Sequence, residues 1–186
     1  MANIFQSAQI VPGKAASPLA ASMKAGTYAA ENGAAGVQIH ELFGRAICEM
    51  AAWHDTRSNV RRLIPKGSTA IEIAPSRWLI ITEDQAVPAK LSGKIGDKGT
   101  VVDLSHGRTI LKVSGAQSVW VLSKLFAIDF ATMPLRSGLA TSHHGITAQI
   151  WHEAENTFQI IIFRSLAESF FEALKAASSD VGYEIA

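Results

Sequence analysis

The histidines in the second half of the sequence are the residues best suited to metal chemistry. His143 and His144 are adjacent, and His152 is followed directly by Glu153. Adjacent residues of a strand point to opposite faces of a sheet, so His143 and His144 cannot easily hold one ion together. His152 and Glu153 lack the second histidine of a zinc-protease helix. The spacing therefore predicts no metal site.

A second candidate for chemistry is the run Asp103-Leu104-Ser105-His106, which places an acid, a hydroxyl and an imidazole close together. Asp103 and Ser105 share one face of a predicted strand, whereas His106 leaves that strand at a turn. The three side chains therefore do not converge as those of a catalytic triad do. We expect Asp103 and Ser105 to bond the backbone where the strand breaks, and Arg108 to pair with Asp103 across the break.

Cofactor sites are not indicated either. The tryptophans Trp53, Trp78, Trp120 and Trp151 lie in different predicted elements, which argues against an aromatic cage for a flavin or a pterin. The glycine-rich stretch 93–99 precedes a strand and does not open a helix, so it lacks the backbone N–H groups of a phosphate loop. The residues alone predict an α+β domain without a catalytic constellation.

Composition narrows the possible partners. The chain has 186 residues and a formal net charge of +1, so no global field attracts it to nucleic acid or to anionic membranes. No stretch approaches the ~20 apolar residues of a membrane helix, and no signal peptide is evident at the start. Cys48 is the only cysteine, which excludes an internal disulfide. We expect a cytoplasmic protein.

The patterning divides the chain into an N-terminal arm, residues 1–36, and a single α+β domain, residues 37–186. The arm is rich in Ala, Gly and Ser and has no sustained periodicity. From Val37 to Trp53 the apolar residues recur at helical spacing, which predicts an amphipathic helix. Cys48 would lie opposite the apolar face of that helix, and we expect its thiol to be exposed.

Strands and three further helices are predicted beyond this point. A weak helix is expected around residues 85–92, and the other two are expected after Ser114, as an N-cap, and after the capping box from Ser165 to Glu168. The predicted strands cover 70–74, 77–82, 101–104, 109–113, 146–150, 158–163 and 183–185. Their order predicts split β-α-β units of ferredoxin-like type, with a mixed or antiparallel sheet and helices on one face.

Several blocks of the sequence resemble one known family. The blocks run from Ile73 to Leu79, from Val102 to Thr109 and from Phe158 to Ser165. Their order and spacing are similar to those of the gamma subunit of heterotetrameric sarcosine oxidase, across most of residues 17–178. The first block also resembles folate-dependent aminomethyltransferases. The motif residues, for which the resemblance implies structural roles, are Arg77, Trp78, Asp103, Ser105, Arg108 and Arg164.

The resemblance implies a function and an architecture. It implies the N-terminal part of the aminomethyltransferase fold, and a non-catalytic subunit that joins alpha, beta and delta partners, chiefly alpha. Such a complex oxidises sarcosine to glycine, releases hydrogen peroxide and passes the one-carbon unit to tetrahydrofolate. FAD, FMN, NAD and tetrahydrofolate would be bound by the partner subunits, with no cofactor in this chain.

Two alternatives remain at this stage. One is a free-standing folate-binding module of the aminomethyltransferase type, which would bind folate as a lone chain. The other is an unrelated α+β binding module that shares the same pattern.

Overall fold

The computed structural model describes residues 15–28 and 34–186. The helices within these residues are α1 (Arg57–Arg61), α2 (Val87–Ile95), α3 (Ser118–Leu125) and α4 (Ala167–Ser178). The strands are β1 (Gly26–Tyr28), β2 (Val37–Glu41), β3 (Ala46–Ala52), β4 (Thr69–Ala74), β5 (Arg77–Thr82), β6 (Gly99–Asp103), β7 (Arg108–Ser114), β8 (Gly138–His143), β9 (Ile146–Ala154), β10 (Thr157–Phe163) and β11 (Tyr183–Ile185). None of the helices in the described ranges is long and apolar enough to cross a membrane.

The strands form two sheets. A seven-stranded sheet has the order β1-β11-β2-β7-β10-β9-β8, and a four-stranded sheet has the order β4-β5-β3-β6. The smaller sheet is antiparallel throughout, and the larger one is mixed because β11 pairs with β2 in parallel. The smaller sheet comes from one continuous stretch of chain, inserted between β2 and β7.

The larger sheet contains the predicted split β-α-β units. The chain passes from β7 through α3 and the edge strand β8 to β9, and β10 lies between β7 and β9, antiparallel to both. It then passes from β10 through α4 to β11, with β7 and β2 in between. The fold class predicted from the sequence is confirmed, whereas the second sheet is an addition to that prediction.

Alternation of side chains along the strands builds the protein in layers. On β5, Trp78 and Ile80 face α1 and α2, whereas Leu79 and Ile81 face the larger sheet. On the larger sheet, Ile110 and Ile161 meet these residues of the smaller sheet. The other face of the larger sheet packs on α3 and α4, with α4 contributing Phe170, Phe171 and Leu174. The order of layers is helices, small sheet, large sheet, helices.

The helix predicted from Val37 to Trp53 is wrong. This stretch forms β2 and β3, which belong to different sheets. Because β3 is covered on both faces, Ile47 packs between the sheets while Cys48 and Met50 pack against the helices. A strand buried on both faces does not alternate apolar and polar residues. The expectation that Cys48 is exposed is wrong for the same reason, since 1% of its surface is accessible.

Two predicted helix caps are also absent. Ser114 ends β7, and α3 begins four residues later at Ser118 after Gln117. Ser165 lies in a short 3-10 turn that precedes α4, and no side chain caps that helix. Glu168 instead accepts a hydrogen bond from Ser22 Oγ at 2.6 Å. The inward positions predicted for α4 at Phe170 and Leu174 are confirmed, because both residues are fully buried.

The described part of the predicted arm lies along the domain. Leu19 has no accessible surface and belongs to the main core beneath α4. Farther along, β1 pairs with β11 at the edge of the larger sheet. Residues 1–14 and 29–33 of the arm fall outside the described residues, so the boundary predicted at residue 36 stays a prediction.

Candidate functional site

A cleft of about 430 Å³ opens at one end of the layer between the two sheets. Its walls come from the start of the described chain, the turn between β2 and β3, the turn between β6 and β7, and the first residues of β7. Residues that line it include Leu42, Phe43, Arg45, Ser105, Arg108 and Arg164. Three of the motif residues predicted from the sequence therefore meet here.

Asp103 and Ser105 fix the turn between β6 and β7. The Ser105 hydroxyl donates to Asp103 Oδ1 at 2.6 Å and accepts from the backbone N–H of Ile47 at 3.0 Å. Asp103 Oδ1 also accepts from the backbone N–H of Ser105 at 2.9 Å. These two bonds from Ser105 lower the pKa of the Asp103 carboxyl. The local backbone role predicted for this pair is confirmed.

Arg108 does not form the predicted pair with Asp103. Its guanidinium instead stacks on Phe163, with Cζ 3.6 Å from the ring centre, because the two residues are cross-strand partners on β7 and β10. Its Nε and Nη1 atoms are buried without a hydrogen-bond partner. Desolvation lowers the pKa of Arg108, and the nearby charge of Glu49 opposes this shift. Arg108 is therefore a partly buried cation whose donors are not fully used.

Arg77 and Trp78 are adjacent but point to opposite faces of β5. Arg77 Nε donates to Glu49 Oε1 at 2.8 Å, which places Arg77 near the charge that Arg108 senses. Trp78 packs in the helical layer with the guanidinium of Arg57 at 5.5 Å from its ring. Neither residue of this motif pair lines the cleft, and Arg77 is linked to Arg108 only through Glu49.

Arg164 connects the cleft to the N-terminal segment. Its Nη2 donates to the carbonyl oxygen of Ala16 at 2.6 Å, and its backbone N–H donates to the carbonyl oxygen of Gly107 at 3.0 Å. Nearby, the Ser17 hydroxyl donates to Glu41. These bonds hold the start of the described chain against the two turns that border the cleft.

The histidines take structural positions. His143 Nδ1 lies 2.7 Å from the carbonyl oxygen of Leu125 at the end of α3. His152 Nδ1 lies 2.8 Å from the carbonyl oxygen of Met133, and its ring stacks on Phe158. Across residues 15–28 and 34–186, no three His, Cys, Asp or Glu side chains gather as ligands of one metal ion.

Two residues of the site were not found from the sequence. Phe163 reaches Arg108 only through the register of β7 on β10, which local patterning does not encode. Glu49 lies on β3, and its effect on Arg108 was missed because the stretch was predicted to be a helix. Reading 46–52 as a strand would have placed Glu49 on the same face as Ile47.

Comparison with known sequences gives two matches. A sequence profile described as "Sarcosine oxidase, gamma subunit family" matches residues 57–180. The curated sarcosine oxidase subunit gamma of Corynebacterium sp. (strain P-1) is 28% identical over 123 residues, which are 64% of this chain and 61% of that protein. The match therefore spans less than two thirds of the relative's length.

Solved structures show the same fold. A chain of the heterotetrameric sarcosine oxidase from Corynebacterium sp. U-96, in complex with pyrrole 2-carboxylate, is similar with a TM-score of 0.77 and 23% identity. That similarity covers 89% of this chain and 95% of the other. The glycine cleavage system aminomethyltransferase T from Bartonella henselae has a TM-score of 0.60 at 14% identity, over 81% of this chain and 48% of that one.

Proposed function

The chain belongs to the sarcosine oxidase gamma subunit family, and from this premise we propose that it is a non-catalytic subunit of a heterotetrameric sarcosine oxidase. Its partners would be alpha, beta and delta subunits, with alpha as the principal contact. The assembled enzyme would oxidise sarcosine to glycine, release hydrogen peroxide and transfer the one-carbon unit to tetrahydrofolate. We place this complex in the cytoplasm.

The observation that carries the proposal is the family match over residues 57–180, which includes every motif residue of the sequence. The state of those residues supports an architectural role. Ser105 bonds a carboxylate and the backbone, Trp78 packs in the core, and Arg77 pairs with Glu49. The Ser105 hydroxyl lies against the Asp103 carboxylate, but the bonds from Ser105 lower the pKa of Asp103 and make it a weak base, which argues against covalent catalysis by this pair.

A cofactor role for this chain fits the residues poorly. A pterin site combines an apolar pocket with a few well-placed polar groups, and a buried carboxylate is normally one of them. The two carboxylates in apolar stretches, Asp103 and Asp129, are both exposed. The FAD, FMN, NAD and tetrahydrofolate of the complex would therefore be bound by the partner subunits.

The test is coexpression of this chain, carrying an affinity tag, with the alpha, beta and delta subunits of the same source. We expect the four chains to purify together and the complex to consume oxygen with sarcosine. The purified lone chain should be colourless and should give no heat on titration with tetrahydrofolate. Failure of the wild-type chain to retain the other subunits would overturn the proposal, and folate binding by the lone chain would favour the free-standing module.

A further inference from the structure

Arg108 is the one motif arginine whose buried donors stay unpaired in the described chain. Both Nε and Nη1 are buried without a hydrogen-bond partner. A buried donor that has lost water and gained no acceptor costs free energy, and the cost is larger for a charged group. The folded lone chain therefore carries a local penalty at Arg108 that an external acceptor would remove.

Acidic groups of this chain near the cleft already have partners. Glu49 accepts from Arg77, Asp103 accepts from Ser105, and Glu41 accepts from Ser17. The charge of Glu49 raises the pKa of Arg108, but Glu49 does not satisfy the buried donors of Arg108. Within residues 15–28 and 34–186, the buried donors of Arg108 therefore have no acceptor.

Two further arginines, Arg45 and Arg164, line the same cleft as Arg108. Arg45 pairs with Glu83, whereas Arg164 donates to the carbonyl oxygen of Ala16 and has no carboxylate partner among the described residues. Arg108 and Arg164 give this wall of the cleft a positive character, whereas Glu41 in the same lining already accepts a hydrogen bond from Ser17. Charge complementarity at an interface favours a negative group on the opposite side.

Two exposed aromatic residues lie at this end of the molecule. Phe163, on whose ring the Arg108 guanidinium stacks, is 41% exposed, and Phe43, which lines the cleft together with Arg108, is 51% exposed. Arginine and aromatic residues are enriched in the hot spots that contribute most of the binding energy of protein–protein interfaces. A small polar ion would leave both rings in water, whereas a protein segment would cover them.

We propose that a carboxylate side chain of a partner subunit enters this cleft and pairs with Arg108, while its neighbouring residues cover Phe163 and Phe43. The inference rests on the proposed function, because it names the surface through which the chain joins its complex. Arg108 then lowers the stability of the lone chain and strengthens its binding to the other subunits. Its replacement should therefore change stability and affinity in opposite directions.

The experiment compares Arg108→Met with Arg62→Met, an exposed arginine at the end of α1. For each variant we would measure the thermal midpoint of the lone chain and its affinity for the copurified remaining subunits. Arg108→Met should keep or raise the midpoint and should weaken binding at least about tenfold, as loss of a dominant interface residue does. Arg62→Met should leave both quantities at wild-type values.

Binding by Arg108→Met within about twofold of wild type would overturn the inference and leave the proposed function intact. A wild-type chain that binds no partner would overturn both. If Arg108→Met did not fold, Arg108 would be structural in the lone chain, which contradicts the inference. A second measurement on the wild-type complex is its salt dependence, since raising potassium chloride from 50 to 500 mM should weaken association through a charge pair. Unchanged affinity would count against a carboxylate partner.

Discussion

Cys48 lies in the middle of β3, among Met50, Trp78 and Ile80. Burial, and after it the negative charge of Asp103, raises the pKa of its thiol to about 11. The thiolate is the reactive form of cysteine, so this thiol stays protonated and unreactive until the pH approaches that value. The sequence alone suggested an exposed thiol, and the structure gives an inert core residue.

We predict that iodoacetamide labels Cys48 at least about 100-fold more slowly in the native chain than in urea at pH 8, from the difference in thiolate fraction alone. The raised pKa means that labelling of the native chain should increase as the pH rises toward 11. Mass spectrometry of the alkylated chain measures both rates, with Cys48→Ala as the blank. Equal rates with and without urea would show that the thiol is accessible.

The sequence predicted part of the candidate site at this scale. Asp103 and Ser105 act within one turn, and contacts of such short range follow from residue types and spacing. The partner of Arg108 does not, because Phe163 is brought to it by pairing of distant strands. Short polar contacts were predictable from the sequence, and the tertiary contact was not.

At the scale of elements, Gly99 and Gly93 illustrate opposite constraints on glycine. Gly99 begins β6, where an added Cβ would lie 2.0 Å from the carbonyl oxygen of Ala51 on β3. Gly93 lies in α2, and an added Cβ there would meet nothing within 4 Å. The first glycine permits close approach of two strands, whereas the second has no such role.

Gly99→Ala should therefore destabilise the chain by about 2 kcal/mol or more, because backbone atoms must shift to admit the methyl group. Gly93→Ala should stabilise it by about 0.5–1 kcal/mol, since alanine is the better helix former. Urea unfolding followed by circular dichroism measures both free energies. A Gly99→Ala chain as stable as wild type would contradict the close approach of β3 and β6.

Strands and helices were predicted correctly where the apolar pattern of the sequence matches the burial of the element in the structure. β4 and β5, joined at Pro75 and Ser76, appear as predicted, as does the central strand β10. The stretch from Val37 to Trp53 failed because its strands serve two sheets and β3 is buried on both faces. Its apolar residues happen to recur at helical spacing because those of β3 are buried on both faces of the second sheet.

At the scale of the whole molecule, the N-terminal segment completes the main core. Leu19 has no accessible surface and packs with residues of the larger sheet and of α4. Arg164 donates to the backbone carbonyl of Ala16, and Glu41 accepts from the side-chain hydroxyl of Ser17. The described beginning of the chain therefore packs against the strands and helices of residues 37–186.

Leu19→Ala should cost about 2–5 kcal/mol of unfolding free energy, as removal of a fully buried leucine side chain usually does. The matched control is Lys24→Ala in the same segment, where the exposed side chain should change stability by no more than about 0.5 kcal/mol. Thermal and urea unfolding of both variants would measure the difference. Equal stability of the two variants would show that the segment is dispensable for the fold.

The insertion of the smaller sheet between β2 and β7 has a consequence for synthesis of the chain. All strands of that sheet leave the ribosome before β7 does, so it can pair early from contacts that are near in sequence. Ile47, Leu79 and Ile81, on the face of this sheet that meets the larger one, stay exposed until the larger sheet forms and covers them. That sheet is complete only when β11 emerges and joins β1 to β2. The nascent chain thus passes through an interval in which an apolar sheet face is open to aggregation or to a chaperone.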